Sequence, residues 1–132
     1  METIAVRTGS RVEVVDVTGQ VQDAVSTSGV KSGVAVVCTA HTTAGVTINE
    51  NADPDVMDDV LDTLGRLAPK SGGYAHAEGN SDAHVKSTLV GQSVTVPVED
   101  GRLQFGTWQG IYFCEFDGPR QRRVMVQILS SR

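Results

Sequence analysis

The residues best suited to chemistry are the three histidines, His41, His76 and His84, each placed in a polar segment and not inside an apolar run. Neutral imidazole ligates borderline divalent metals and exchanges protons near neutral pH, so a shared metal site is one chemistry open to them. Glu50 and Glu78 lie close by in sequence, and either can complete a ligand shell or orient an imidazole from behind. The His76 to His84 spacing matches no local zinc pattern, and scattered, hydrogen-bonded surface histidines remain the alternative reading. Anion binding is the second chemistry. Lys86, Arg120, Arg122 and Arg123 can hold phosphate, helped by backbone N–H groups of the GTWQG loop and of the helix turn preceding His84. Arg120, after a Gly-Pro turn, is the strongest of the three arginines, whereas Arg122 and Arg123 read as a solvated hairpin end. Trp108 reads as a core or interface residue whose polar flanks leave recognition open. The sequence has no GxxxxGK[ST] phosphate loop, no GxGxxG after a strand, no HExxH and no GxSxG.

Those groups must be positioned by an alternation of strands and a few helices. The apolar, β-branched run Gly33 to Thr39 predicts a strand at the centre of a sheet, delivering His41 to its end. Gly45 to Asn49 alternates and predicts a second short strand. The clearest helix runs from Pro54 to Leu67: Asp53 is a good N-cap, Pro54 suits the first helical position, and Val56, Val60, Leu64 and Leu67 form an apolar stripe. Its acids, Asp55, Asp58, Asp59 and Asp62, read as a water-facing surface. A shorter helix over Asp82 to Val90, capped by Asn80 or Ser81 and closed by Gly91, places His84 and Thr88 on one face.

Thr3 to Val6 and Arg11 to Val17 read as two strands joined in a hairpin, and Thr18 to Ser26 as a short helix with Thr18 as N-cap. Ser93 to Val98 is strand-like, with Pro97 pointing to an edge or bulge. Asp100-Gly101 is a hairpin turn. Ile111 to Phe116 and Arg122 to Leu129 complete the strands, the latter alternating Val124, Val126 and Ile128 against Arg123, Met125 and Gln127. The order predicts an α+β fold, a largely antiparallel sheet with helices set against it.

The chain's 132 residues suit one domain with its own core. A net charge of -5 argues against nucleic acid as partner, since phosphate backbones reward dense Lys and Arg. No apolar run is long enough to span a bilayer, and the N-terminal residues lack a secretory signal pattern, which makes the cytoplasm the expected compartment. Cys38 and Cys114, in strand-like runs without CxxC spacing, read as buried free thiols.

Three stretches together carry a resemblance: HTTAGVTINENADPDV, then YAHAEGN followed by AHVK, then GRLQFGTWQGIYFCEFDGPR. In this order they resemble the YjbQ family of small proteins, also called secondary thiamine-phosphate synthase enzymes. The resemblance implies an α+β homotrimer with a site drawn from these motifs, and a transferase activity joining a pyrimidine methyl diphosphate to a thiazole phosphate with loss of pyrophosphate. On matching positions it implies His41, His76 and His84 as ligands of a divalent metal, zinc or magnesium. It further implies Glu50, Asn49 and Glu78 as catalytic groups, and Trp108, Gln109 and Arg120 around a phosphorylated small-molecule substrate, to which the anion-binding reading adds Lys86. The same groups would also serve a metal-dependent hydrolase of a small phosphorylated compound, or a trimeric module that binds metal or ligand without turnover.

Overall fold

A computed structural model describes residues 1–132. The chain runs β1 (Glu2–Arg7), β2 (Glu13–Asp16), α1 (Thr18–Ser28), β3 (Ser32–Cys38), β4 (Ala44–Glu50), α2 (Pro54–Leu67), α3 (Ser81–Val90), β5 (Ser93–Glu99), β6 (Arg102–Leu103), β7 (Gln109–Glu115) and β8 (Gln121–Ser130). Every strand pairing is antiparallel. A five-stranded sheet has the order β1-β8-β3-β5-β6 and a three-stranded sheet the order β2-β7-β4, so the expected α+β class with antiparallel sheets is what the sequence forms.

The period-two pattern of β7 explains how the layers stack. Ile111 and Phe113 point into the larger core, with Val37, Val46, Val124 and Val126. Tyr112 and Cys114 point the other way, into a smaller core with Met57 of α2 and Ala83 of α3. The two helices thereby cover one side of the three-stranded sheet, and α3 reaches the start of β4 closely. A Cβ on Gly45 would lie 2.8 Å from the carbonyl oxygen of Gly91, so only glycine permits that approach without displacement.

Helix α2 follows its sequence signals. Asp53 accepts a hydrogen bond from the backbone N–H of Asp55 at 3.0 Å, and Pro54 opens the helix. The Asp100-Gly101 turn holds both residues at positive φ, 54° and 71°. β3 lies between β8 and β5, and Pro97 pairs with Val34 while β6 pairs with Val98 and Glu99 beyond it.

Two local expectations are corrected. β1 and β2 do not form a hairpin: β1 pairs with β8 and β2 with β7, in different sheets, because each finds a longer apolar partner than the other offers. Thr18 is not the N-cap of α1 but its first residue. Its N–H and hydroxyl both donate to Asp16, at 2.9 and 2.6 Å, while its oxygen accepts from the Ile111 N–H. No helix is long and apolar enough to cross a membrane. Of the thiols, Cys114 is buried, which pushes its pKa up to about 12, and Cys38 is half-buried; both are free.

Candidate functional site

The β3–β4 connection, the segment before α3, the first turn of α3 and the β7–β8 turn meet at a cavity of about 370 Å³. His41 to Thr43, Glu78, His84, Asp117, Arg120 and Arg122 face it. The floor is made by strand parity. Glu115 has the inward parity of Ile111 and Phe113 on β7, and Arg122 that of Val124 and Val126 on β8, so both charges are turned into the protein. There they pair: Arg122 Nε donates to Glu115 Oε1 at 2.8 Å and Nη2 to Oε2. Arg122 Nη2 also donates to the Thr43 hydroxyl at 2.8 Å, while Glu115 accepts from the Thr8 hydroxyl at 2.7 Å and from the Asp117 N–H at 3.1 Å. Burial alone would raise the Glu115 pKa, but the bonds from Arg122, Thr8 and Asp117 bring it below the ordinary value. The expectation of a solvated Arg122 is thus corrected, since its side chain is 5% exposed.

His41 is held from two sides. Its backbone N–H donates to Thr39 Oγ1 at 3.3 Å, and its ring Nε2 accepts the backbone N–H of Arg123 at 3.0 Å. Burial lowers its pKa, with Arg122, Arg123 and Arg120 adding to the effect and Glu115 opposing it, so the imidazole is neutral at neutral pH. Arg120 is anchored by Nε to the Asp117 carbonyl at 2.8 Å and by Nη2 to the Asp117 carboxylate at 3.2 Å. Asp117 in turn accepts from Asn80 Nδ2 at 2.9 Å, which ties the β7–β8 turn to the start of α3 and uses the side chain expected to cap that helix. Nη1 of Arg120 is left uncommitted on a side chain 55% exposed.

The histidines are only partly brought together. His41 and His84 share the cavity, and His76 meets His84 edge to face with ring centroids 5.4 Å apart, its Nε2 3.8 Å from Glu78 Oε2. No group of three or more His, Cys, Asp and Glu side chains is placed to hold a metal ion. Because His41 Nε2 is already occupied by a backbone donor, the residues as arranged do not fit an ion shared by His41, His76 and His84.

The remaining site candidates lie elsewhere. Asn49 and Glu50 sit at the far end of β4, a strand of seven residues, which puts them about 20 Å from His41 at the usual rise. There they serve local turns: Asn49 Oδ1 accepts from the Glu50 N–H at 2.7 Å and Glu50 Oε2 from the Asp53 N–H at 3.2 Å. Gln109, paired with Glu50 across the strands, accepts from the Gly106 N–H at 2.8 Å. Trp108 is 61% exposed beside them, neither a core residue nor a wall of the cavity. Lys86 is also outside: it is buried and donates to Asp82 at 3.1 Å, so its expected role at phosphate in this cavity is corrected. Thr42 is in it, and so is Asp117, which the sequence marks only as part of a turn.

A family model described as "UPF0047 protein YjbQ-like" matches residues 2–131. The chain belongs to the YjbQ/UPF0047 family. It is 52% identical to the UPF0047 protein MJ1081 of Methanocaldococcus jannaschii, covering 96% of this chain and 92% of that one. It is 48% identical to the UPF0047 protein YugU of Bacillus subtilis, covering 98% of both. Among solved structures, an uncharacterised YjbQ/UPF0047 family protein from Clostridium acetobutylicum superposes with a TM-score of 0.96 at 52% identity, over 98% of this chain and 100% of that one. A protein of unknown function from Sulfolobus solfataricus superposes at 0.95 with 36% identity, over 98% and 96%. None of these relatives is named as a thiamine-phosphate synthase, and the Sulfolobus protein is described as one of unknown function. That overturns the expectation of a thiamine-phosphate synthase-like transferase.

Proposed function

We propose that the His41–Arg120 cavity binds a small phosphorylated compound through the chain's own side chains. Arg120 carries the reading: Asp117 fixes two of its donors, which orders the guanidinium in advance and leaves Nη1 for an incoming oxyanion. The Thr42 hydroxyl and the Nδ1–H of neutral His41 are further donors on the same walls. His84 and Glu78 face the rest of the ligand, where an imidazole beside a carboxylate suits a group that gives or takes a proton. The volume falls in the lower part of the range of small-molecule sites, about 300–1,000 Å³. Because Arg120 and Arg122 already have carboxylate partners, the cavity favours a ligand that adds hydrogen bonds as well as charge.

Isothermal titration with a panel of small phosphomonoesters, wild type against Arg120→Ala, tests this reading. Saturable binding by the wild type that weakens at least about tenfold in the variant supports it, that factor being about 1.4 kcal/mol. Equal affinities, or no binding of any member, count against it.

A further inference from the structure

A second cleft, of about 580 Å³, lies beneath α2 and shares no wall with the His41 cavity. Val12 and Leu61 are its apolar wall, Lys86 its floor, and Asp58 and Asp62 its rim. The floor is electrostatically incomplete. Asp82, fully buried, accepts from Arg11 Nη1 and Nη2 at 3.1 and 3.0 Å and from Lys86 Nζ at 3.1 Å. One carboxylate between two cations leaves a net charge of +1 in this cluster. Asp117 also acts on Arg11, but its carboxylate is committed to Arg120 and Asn80. Lys86 is 5% exposed, yet its ammonium has three N–H donors and Asp82 takes one of them. A desolvated ammonium with spare donors at the bottom of a cleft favours an acceptor there.

The rim has the opposite sign. Asp58 and Asp62 are four residues apart, hence neighbours on one face of α2. A lone anion reaching Lys86 must pass two carboxylates, and a lone cation drawn by them meets the ammonium below. A molecule carrying both charges satisfies both.

We infer that the cleft beneath α2 binds a small apolar α-amino acid, its carboxylate on Lys86 Nζ, its ammonium at Asp58 and Asp62, and its side chain against Leu61 and Val12. Each part of such a ligand meets a part of the cleft that lacks a full partner within the protein. The site is independent of the phosphate reading of the other cavity, since no residue is common to the two.

The test is a residue-resolved NMR titration of the whole chain with L-leucine, with 4-methylpentanoate, which lacks the ammonium, and with 3-methylbutylamine, which lacks the carboxylate. Saturable shifts on α2 and around Lys86 with L-leucine are expected, with each analogue about fivefold weaker, the upper end of what one ion pair near the surface contributes. Asp58→Asn/Asp62→Asn, on an exposed face and so expected to keep the fold by circular dichroism, weakens L-leucine to a similar degree. Absent saturation, shifts confined to the His41 cavity, analogues that bind as well as L-leucine, or a double variant that binds it unchanged would each overturn the inference.

Discussion

The backbone N–H of Arg123 donates to Nε2 of His41 at 3.0 Å, pinning the β3–β4 connection to β8. An Nε2 that accepts leaves the proton of the neutral ring on Nδ1. Nitrogen-detected NMR is therefore expected to show His41 as the Nδ1–H tautomer, titrating below the ordinary 6.5. Titration above 6.5, or a ring protonated on Nε2, would contradict the placement of this side chain.

Acid should weaken the fold in two successive ranges. His41 has a lowered pKa, so below 6.5 the unfolded chain binds more protons than the folded one, and the stability from this group is lost as pH falls through its folded value. Asp82, Asp117 and Glu115 are also lowered. For all three, burial opposes the shift and is outweighed by hydrogen bonds, from Arg11 and Lys86, from Asn80 and Arg120, and from Arg122 and Thr8 respectively. Their contribution is complete above the ordinary values of 3.8 for aspartate and 4.5 for glutamate and is lost as pH falls below them. Urea midpoints that decline continuously from neutral pH downward are expected, and a stability maximum below 4.5 would reverse the sign.

Two arginines separated by one residue should behave differently on substitution. Arg122→Met strands the Glu115 carboxylate, which is fully buried, and is expected to cost about 3–5 kcal/mol. Arg120→Ala removes a half-exposed partner of Asp117 and should cost about 1 kcal/mol or less. Equal losses in urea denaturation would mean that Arg122 is not buried as described.

The contrast also shows what was legible in the sequence. Parity extended one step back along β8 from Val126 and Val124 lands on Arg122, and on β7 from Phe113 forward on Glu115. The alternation was readable, but a solvated reading follows naturally from charge type unless an opposite charge of inward parity is found on a neighbouring strand. Helix α2 was legible because Asp53, Pro54 and its stripe are local signals, whereas the partners of β1 and β2 lie about a hundred residues away and are set by which apolar strands match. The histidine motif was harder. Residues adjacent in HTTAGVTINEN are separated in space because β4 is extended between them, so His41 keeps company with Arg120 and His84, and Glu50 with Gln109. Lys86 shares a helix with His84 but is turned to another face by the buried Asp82 four residues earlier.

The most direct measurement is a phosphate titration of the whole chain followed residue by residue in the ¹H–¹⁵N spectrum. Binding in the proposed cavity predicts saturable shifts clustered on Ala40 to Thr43, His84 and Asp117 to Arg120, which vanish in Arg120→Ala while its other resonances stay in place. Shifts concentrated instead around Glu50, Trp108 and Gln109, or none at saturating phosphate, would contradict the account.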